Sequence, residues 1–240
     1  MSESVMARWQ GFVQKVTERF SAILDESNAG FEELLSDPEL DPITFTNAMN
    51  AIEIRCKDLG LKLSDTYSNQ VALQLGAGGG MAEQLLRQTE QHLFETFTRF
   101  RAAWNGRLVR QLWTRVQPML QRPVSCRSCG AELPRSVRHR AETVTCPHCQ
   151  AVNSVSPEPL VYTYFSMAPD LAAEEQTVES KLAVERALDQ GVAFEQIELR
   201  CRAHWQSYVQ VRSAVLPMAA DEQQRFVESR IEMLRKTGSF

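Results

Sequence analysis

The sequence predicts a mainly α protein in which long amphipathic helices, packed as a bundle or a coiled-coil hairpin, carry a small three-stranded antiparallel module in the middle of the chain. Three observations predict this. Apolar residues recur at three- and four-residue spacing through most of the 240 residues, the stripe that a helix needs in order to bury one face. Four glycines within positions 76–80 interrupt that stripe. Near the centre, two cysteine pairs stand beside short β-prone segments.

The first helix is set by Val5, Trp9, Phe12, Val16, Phe20 and Ile23, and Asn28-Ala-Gly30 is expected to end it. A short acidic stretch follows, from Phe31 to Asp41. Asp41-Pro42 offers an N-cap and a favoured first helical residue together. The helix it starts has a heptad seam, Phe45, Met49, Ile52, Cys56, Leu59 and Leu63, that drifts to four-residue steps at Tyr67, Val71 and Leu75. The glycines at 76–80 then read as the turn of a helical hairpin, since each costs about 1 kcal/mol relative to alanine inside a helix. No strand precedes them and no Gly-Lys-Ser/Thr follows, so a phosphate loop is the weaker reading.

From Met81 to Leu120 a second long helix carries Leu86, Leu93, Phe97, Phe100, Trp104, Leu108, Leu112, Val116 and Met119. Pro118 and Pro123 are expected to stop it. Three short strands are expected next, over 141–145, 151–155 and 160–165. Helix resumes near Pro169-Asp170 with Leu171, Val178, Leu182, Glu185 and Leu188, and Gly191 ends it. The cleanest stripe of the chain is Phe194, Ile197, Cys201, His204, Tyr208, Val211 and Val215. Asp221 and Gln224 resemble a capping box for a last helix through Phe226, Val227, Ile231 and Leu234. The expected organisation is therefore an N-terminal helical region over 1–122, the central module over 123–165, and a C-terminal helical region over 166–240 that packs on the N-terminal helices.

Cys126-Arg-Ser-Cys129 and Cys146-Pro-His-Cys149 carry the chemistry. Two residues between the cysteines of a pair let a tight turn aim both thiolates at one metal, and two such turns complete the tetrahedron that zinc prefers. Four thiolates leave no open position for water or substrate, so one structural Zn2+ per chain is the expectation. His139 and His148 lie nearby, but the four cysteines already fill the ligand set. The residues Cys126, Cys129, Gly130, Cys146, Pro147 and Cys149 resemble the knuckles of the zinc ribbon family, with Gln150 where that family usually has glycine. The resemblance covers about forty residues and implies zinc and a small sheet, with no single activity attached.

A net charge of -4 hides a pattern. Residues 1–98 hold seven basic against fifteen acidic side chains, residues 99–140 hold ten arginines against Glu132 alone, and the remainder holds nine basic against fourteen acidic. A basic band inside an acidic chain points to an anionic partner or to pairing within the molecule. Arg127, Arg135, Arg138 and Arg140 sit on and between the knuckles, where they would hold phosphates or offset the negative charge of a zinc bound by four thiolates. Arg101, Arg107, Arg110 and Arg115 alternate with an apolar helix face and are placed to pair with carboxylates such as Glu174, Glu175, Glu179 and Glu185.

Cys201 and His204 share one helix face and Cys56 sits on another seam, where core packing is expected of them ahead of a second metal site. A helical bundle with a ribbon resembles the ferritin-like di-iron proteins, but no Glu-x-x-His pair occurs, and that site requires two. Hydrolase signatures are also missing. The first expectation is a non-enzymatic scaffold or adaptor that binds protein partners through its helices and ribbon, with homodimerisation through the heptad seams as one arrangement. The alternative is a nucleic-acid-binding protein using the band 99–140, and an enzyme within the helical part is third. No apolar run reaches the roughly 20 residues that span a bilayer. A cytoplasmic location without membrane insertion is expected, and paired cysteines there favour metal over disulfide.

Overall fold

The computed structural model describes residues 2–76, 79–134 and 139–240. The chain divides into two compact units, Met1–Trp104 and Asn105–Phe240, and the boundary falls inside one continuous helix.

The first unit contains α1 (Ser2–Ser36), α2 (Pro42–Thr66), a π turn (Tyr67–Val71), α3 (Ala72–Leu75) and the first part of α4 (Gly80–Gln121). Contrary to expectation, α1 does not stop at Gly30. A lone glycine costs a helix only about 1 kcal/mol, and Phe31 and Leu35 continue the buried stripe beyond it, at 1% and 8% exposure. The ring of Phe31 meets those of Phe45 at 4.7 Å, Trp104 at 5.1 Å and Phe100 at 6.0 Å. That nest joins α1, α2 and α4 within the unit.

Asp41 caps α2 as expected, its carboxylate accepting from the Ile43 N–H at 3.0 Å, with Pro42 at the helix start. Of the expected seam, Phe45, Met49, Ile52, Cys56 and Leu63 are buried within the chain and Leu59 is half-buried. Their steps change from heptad to four residues where the π turn begins. At 3.6 residues per turn a four-residue step rotates by about 40°, and one wide turn removes most of the drift that three such steps accumulate. The Ala72 N–H bonds the Tyr67 carbonyl five residues back, which closes that wide turn.

Gly76, with φ +53°, ends α3 and Gly79 donates back to it at 3.1 Å. Ala77 and Gly78 of the expected turn lie outside the described residues. Glu53 on α2 pairs with Arg101 on α4 at 3.3 Å; the two residues stand symmetrically about position 77, as the arms of an antiparallel hairpin must. The indoles are anchored too, Trp9 donating to the Ala82 carbonyl and Trp104 to the Asn28 side chain, both at 3.1 Å.

The second unit holds the rest of α4, β1 (Glu142–Thr145), β2 (Val152–Val155), α5 (Pro159–Asp189), α6 (Phe194–Val215) and α7 (Ala220–Thr237). α4 continues one turn past Pro118, which lies inside the helix and does not end it. The sheet has two antiparallel strands, with Val144 opposite Asn153, in place of the three expected. The expected third strand, 160–165, is the first part of α5, so helix resumes at Pro159 and not near Pro169. Pro159 fills the first helical position, and Val161, Tyr164, Ala168 and Ala172 form a buried face at helical spacing. Their β-branched and aromatic neighbours masked that period.

Further along α5 the buried residues include Ala173, Thr177, Leu182, Val184 and Ala187, and small side chains let α6 approach closely. Gly191 adopts φ +63° after α5, as expected of a C-cap. The core shared with α6 and α7 contains Ile197, Cys201, Val209, Val227, Ile231 and Leu234. α7 is capped two positions earlier than expected: the Ala219 N–H donates to Glu222 at 3.2 Å, while Asp221 sits in the first turn. No helix among the described residues is long and apolar enough to cross a membrane.

Two expected outcomes test these assignments. Gly30 is in the interior of α1 with open space where a Cβ would stand, so Gly30→Ala raises stability by about 0.5–1 kcal/mol, read from urea unfolding; a loss would mean that the helix ends there. His204 is buried beside Ser180, 2.8 Å from Nδ1. Burial, helped by the nearby Lys181 charge, lowers its pKa to about 4. Between the unfolded value near 6.5 and this folded one, the unfolded chain takes the proton and the folded chain refuses it. Stability of the second unit therefore falls as pH drops from about 6.5 toward 4, by up to about 3 kcal/mol, and His204→Gln removes most of that slope.

Candidate metal centre

Two turns of the same construction present the four cysteines. In the first, the Cys126 N–H bonds the Ala131 carbonyl at 2.7 Å and the Gly130 N–H bonds the Cys126 carbonyl at 2.9 Å. In the second, Cys146 bonds Ala151 at 2.9 Å and Gln150 bonds Cys146 at 3.0 Å. A single bridge between Ser125 and Glu132 closes the first turn, and β1 and β2 close the second. Each turn needs a left-handed residue four places after its first cysteine. Gly130 supplies it with φ +75° at no steric cost, and Gln150 adopts φ +61° at a cost of about 1–2 kcal/mol. The second turn therefore holds its left-handed backbone without the glycine that the zinc ribbon family usually has there.

The four Sγ atoms lie within 4.8 Å of one another, and no other group of three or more such ligands gathers among the described residues. Cys126 stands 3.6 Å from Cys149, and Cys129 stands 3.6 Å from Cys146. Four sulfurs at about 2.3 Å from a central zinc would be about 3.8 Å apart. The site is thus positioned to hold a metal ion and is compatible with a single zinc. Cys126 and Cys146 are buried against Leu133, Val144 and Val155, while Cys129 and Cys149 are exposed.

Backbone donors prepare two of the ligands. The N–H of Cys129, then that of Ser128, with the Asn153 amide, hold the Cys126 thiol down to about 6. The N–H of Cys149 leads the groups that lower Cys146. At Cys149 the Ala151 N–H favours the thiolate, but the sulfurs of Cys129, Cys126 and Cys146 and burial push the group up to about 12. A bound cation reverses that repulsion, since a coordinated thiol is deprotonated outright.

Asn153 is the site residue that sequence reasoning missed. It is 4% exposed on β2. Its amide donates to the Ala151 carbonyl at 2.9 Å and toward the Cys126 sulfur at 3.5 Å, and its oxygen accepts the Arg127 N–H at 3.0 Å. One side chain therefore ties β2 to the first knuckle. The available signal was an asparagine, disfavoured in strands, at an inward position of a four-residue strand.

The other sequence candidates separate. His148 is exposed and His139 packs its ring 5.0 Å from Phe165, and neither belongs to the cysteine cluster. Cys56 and Cys201 are buried, with thiols pushed up to about 11 by desolvation, and behave as core residues. Arg127 and Arg140 are exposed and form no ion pair among the described residues. Arg135 and Arg138 lie outside those residues. Elsewhere in the band the carboxylates are near: Arg110 reaches both oxygens of Glu175 at 2.7 and 2.9 Å, Arg99 pairs with Glu95 at 3.0 Å, and Arg122 pairs with Glu158 at 3.0 Å. Compared with known proteins, the chain matches no family model, no curated protein and no solved structure.

Removing the Asn153 amide leaves Cys126 with fewer donors and the Arg127 N–H unpaired. Asn153→Ala is expected to weaken metal affinity by about 10- to 100-fold in competition with a chelator, with the four ligands intact.

Proposed function

We propose that this protein is a non-enzymatic scaffold or adaptor, and that its four-cysteine site holds one structural zinc that fixes a ribbon for display to protein partners. The observation that carries this reading is the ligand set. Four thiolates from two matched turns make a closed shell, which builds structure and leaves no coordination position for a reacting molecule. A ribbon of about forty residues buries too little apolar surface to fold alone, so metal binding would provide much of its folding free energy.

Partner binding through the helices is supported by a second feature. Ile43, Ile54 and Leu61 on α2 are 62%, 61% and 63% exposed. Spacings of eleven and seven residues place them within about 20° of one line along the helix. The heptad seam of α2 is consumed by the chain's own core, so a homodimer would use this line in its place.

Nucleic-acid binding is the second reading, favoured by the exposed Arg127 and Arg140 on the ribbon. The scaffold reading comes first because Arg99, Arg101, Arg110 and Arg122 already face carboxylates.

Metal analysis of the purified protein is expected to give about one equivalent of zinc, lost in Cys146→Ser; less than half an equivalent would remove the premise. Partners are then retained from native lysate with and without nuclease. The scaffold reading expects retention to survive nuclease and to be lost in an Ile54→Glu, Leu61→Glu variant. It also expects nucleic-acid affinity at about 150 mM salt no tighter than roughly 1–100 µM. A nanomolar complex abolished by Arg127→Ala and Arg140→Ala would establish the second reading.

A further inference from the structure

The π turn that interrupts the second helix lines a cleft against α1, and the free polar groups around it are mostly hydrogen-bond donors. α1 packs on both the π turn and α3. In an unbroken α-helix Thr66, Gln70 and Gln74 would fan out by about 40° per step. The wide turn between them keeps these three polar side chains on one side of a cleft of about 150 Å³. Arg8 of α1 stands across from them. Its Nη2 donates to the Gln74 oxygen at 3.4 Å and its Nε to the Ser4 carbonyl at 3.3 Å.

Arg8 has no carboxylate partner among the described residues, in a unit whose acidic side chains outnumber its basic ones. A guanidinium has five N–H groups, so three remain. Because the Gln74 oxygen is turned to Arg8, its amide nitrogen is left to donate, and the Gln70 side chain has no hydrogen-bond partner among the described residues. Donors thus exceed acceptors. The remaining wall is apolar: Val5 and Phe12 of α1 and Val71 of the π turn line the same cleft. Trp9 closes one side, its ring 5.9 Å from Phe12 and 5.8 Å from Tyr67.

We propose that this cleft binds a small free carboxylate with an apolar or aromatic body. The carboxylate is held by the Arg8 guanidinium and the amides of Gln70 and Gln74, and the body lies on Val5, Phe12 and Val71. Charge sets the anion, because an unpaired guanidinium takes both oxygens of a carboxylate in parallel. Volume sets the body, because a cavity of about 150 Å³ accepts a benzene-sized group. π turns also occur frequently where helices serve a ligand. The site lies wholly within the first unit and is independent of the metal and of the scaffold reading.

The test follows the Trp9 indole N–H by NMR in the full zinc-loaded chain, with its resonance assigned through a Trp9→Phe variant. Benzoate is expected to shift it saturably, while benzamide, of the same shape without the charge, and acetate, with the charge but no body, bind at least about tenfold more weakly. Arg8→Gln is expected to weaken benzoate by about tenfold or more, as the loss of a charge-assisted pair implies. Gln70→Leu, on the exposed rim, gives a smaller loss and provides a second reading should Arg8→Gln disturb folding. No saturable shift with benzoate, equal affinity for benzamide or acetate, or unchanged affinity in a folded Arg8→Gln protein would overturn the assignment.

Discussion

One helix sets the terms for both units. α4 runs unbroken from Gly80 to Gln121, and Leu86, Leu93, Phe97, Trp104, Leu108, Leu112 and Val116 of its apolar stripe are at most 9% exposed, with Phe100 and Met119 half-buried. A stripe of that length cannot be left in water, since each large side chain is worth about 1.5–3 kcal/mol when buried. Its first part is covered by the aromatic nest around Phe31 and by α2. In the second part, Gly106 lets the Glu175 side chain approach the helix backbone, Arg110 takes that carboxylate, and Trp113 meets the Tyr164 ring at 5.5 Å. Close approach, ion pair and ring contact bring α5 against α4 within the second unit.

The helices with large apolar residues were legible in sequence because Trp, Phe and Leu at three- and four-residue spacing leave little choice of period. Where the reading failed, local preference lost to packing. Gly30 looked like a stop, but the burial of Phe31 and Leu35 outweighs one glycine. Leu160 to Phe165 looked like a strand by composition, yet the useful period joined Val161 and Tyr164 to the alanines at 168 and 172. Alanine is a weak marker in sequence and a strong determinant in packing, because its small side chain sets how near the next helix can come.

The cysteine cluster was legible for a different reason. Ligand geometry constrains residue type and spacing together, so four cysteines in two matched pairs carry more information than any stripe. What supports the ligands was less visible. Gln150 departs from glycine and still adopts the left-handed backbone, because the Cys146 carbonyl accepts its N–H and fixes the turn. Asn153 acts across 27 residues of chain on Cys126, and no local pattern marks such a link. Knuckle and strand are therefore one structural unit even though only the knuckle has a signature.

The charge asymmetry of the sequence has a partial physical account in the fold. Arg101 pairs with Glu53 of the acidic first stretch, whereas Arg110 and Arg122 pair with Glu175 and Glu158 of the acidic last stretch. The helical part of the basic band is thus met by carboxylates from both flanks through contacts internal to each unit. Such partly exposed pairs contribute about 0–1 kcal/mol each, too little to hold helices together. Their effect is selective: a helix rotated out of register would set the arginines against each other or against the apolar stripe. The ribbon arginines differ. A cation of charge +2 held by four thiolates would leave about -2 on a small module, and Arg127 follows Cys126 directly, its N–H donating to Asn153. The arginines of this chain thus fall into two groups, those of α4 that meet carboxylates and those of the ribbon, Arg127 and Arg140, that form no ion pair among the described residues. A single count of basic residues over 99–140 merges them.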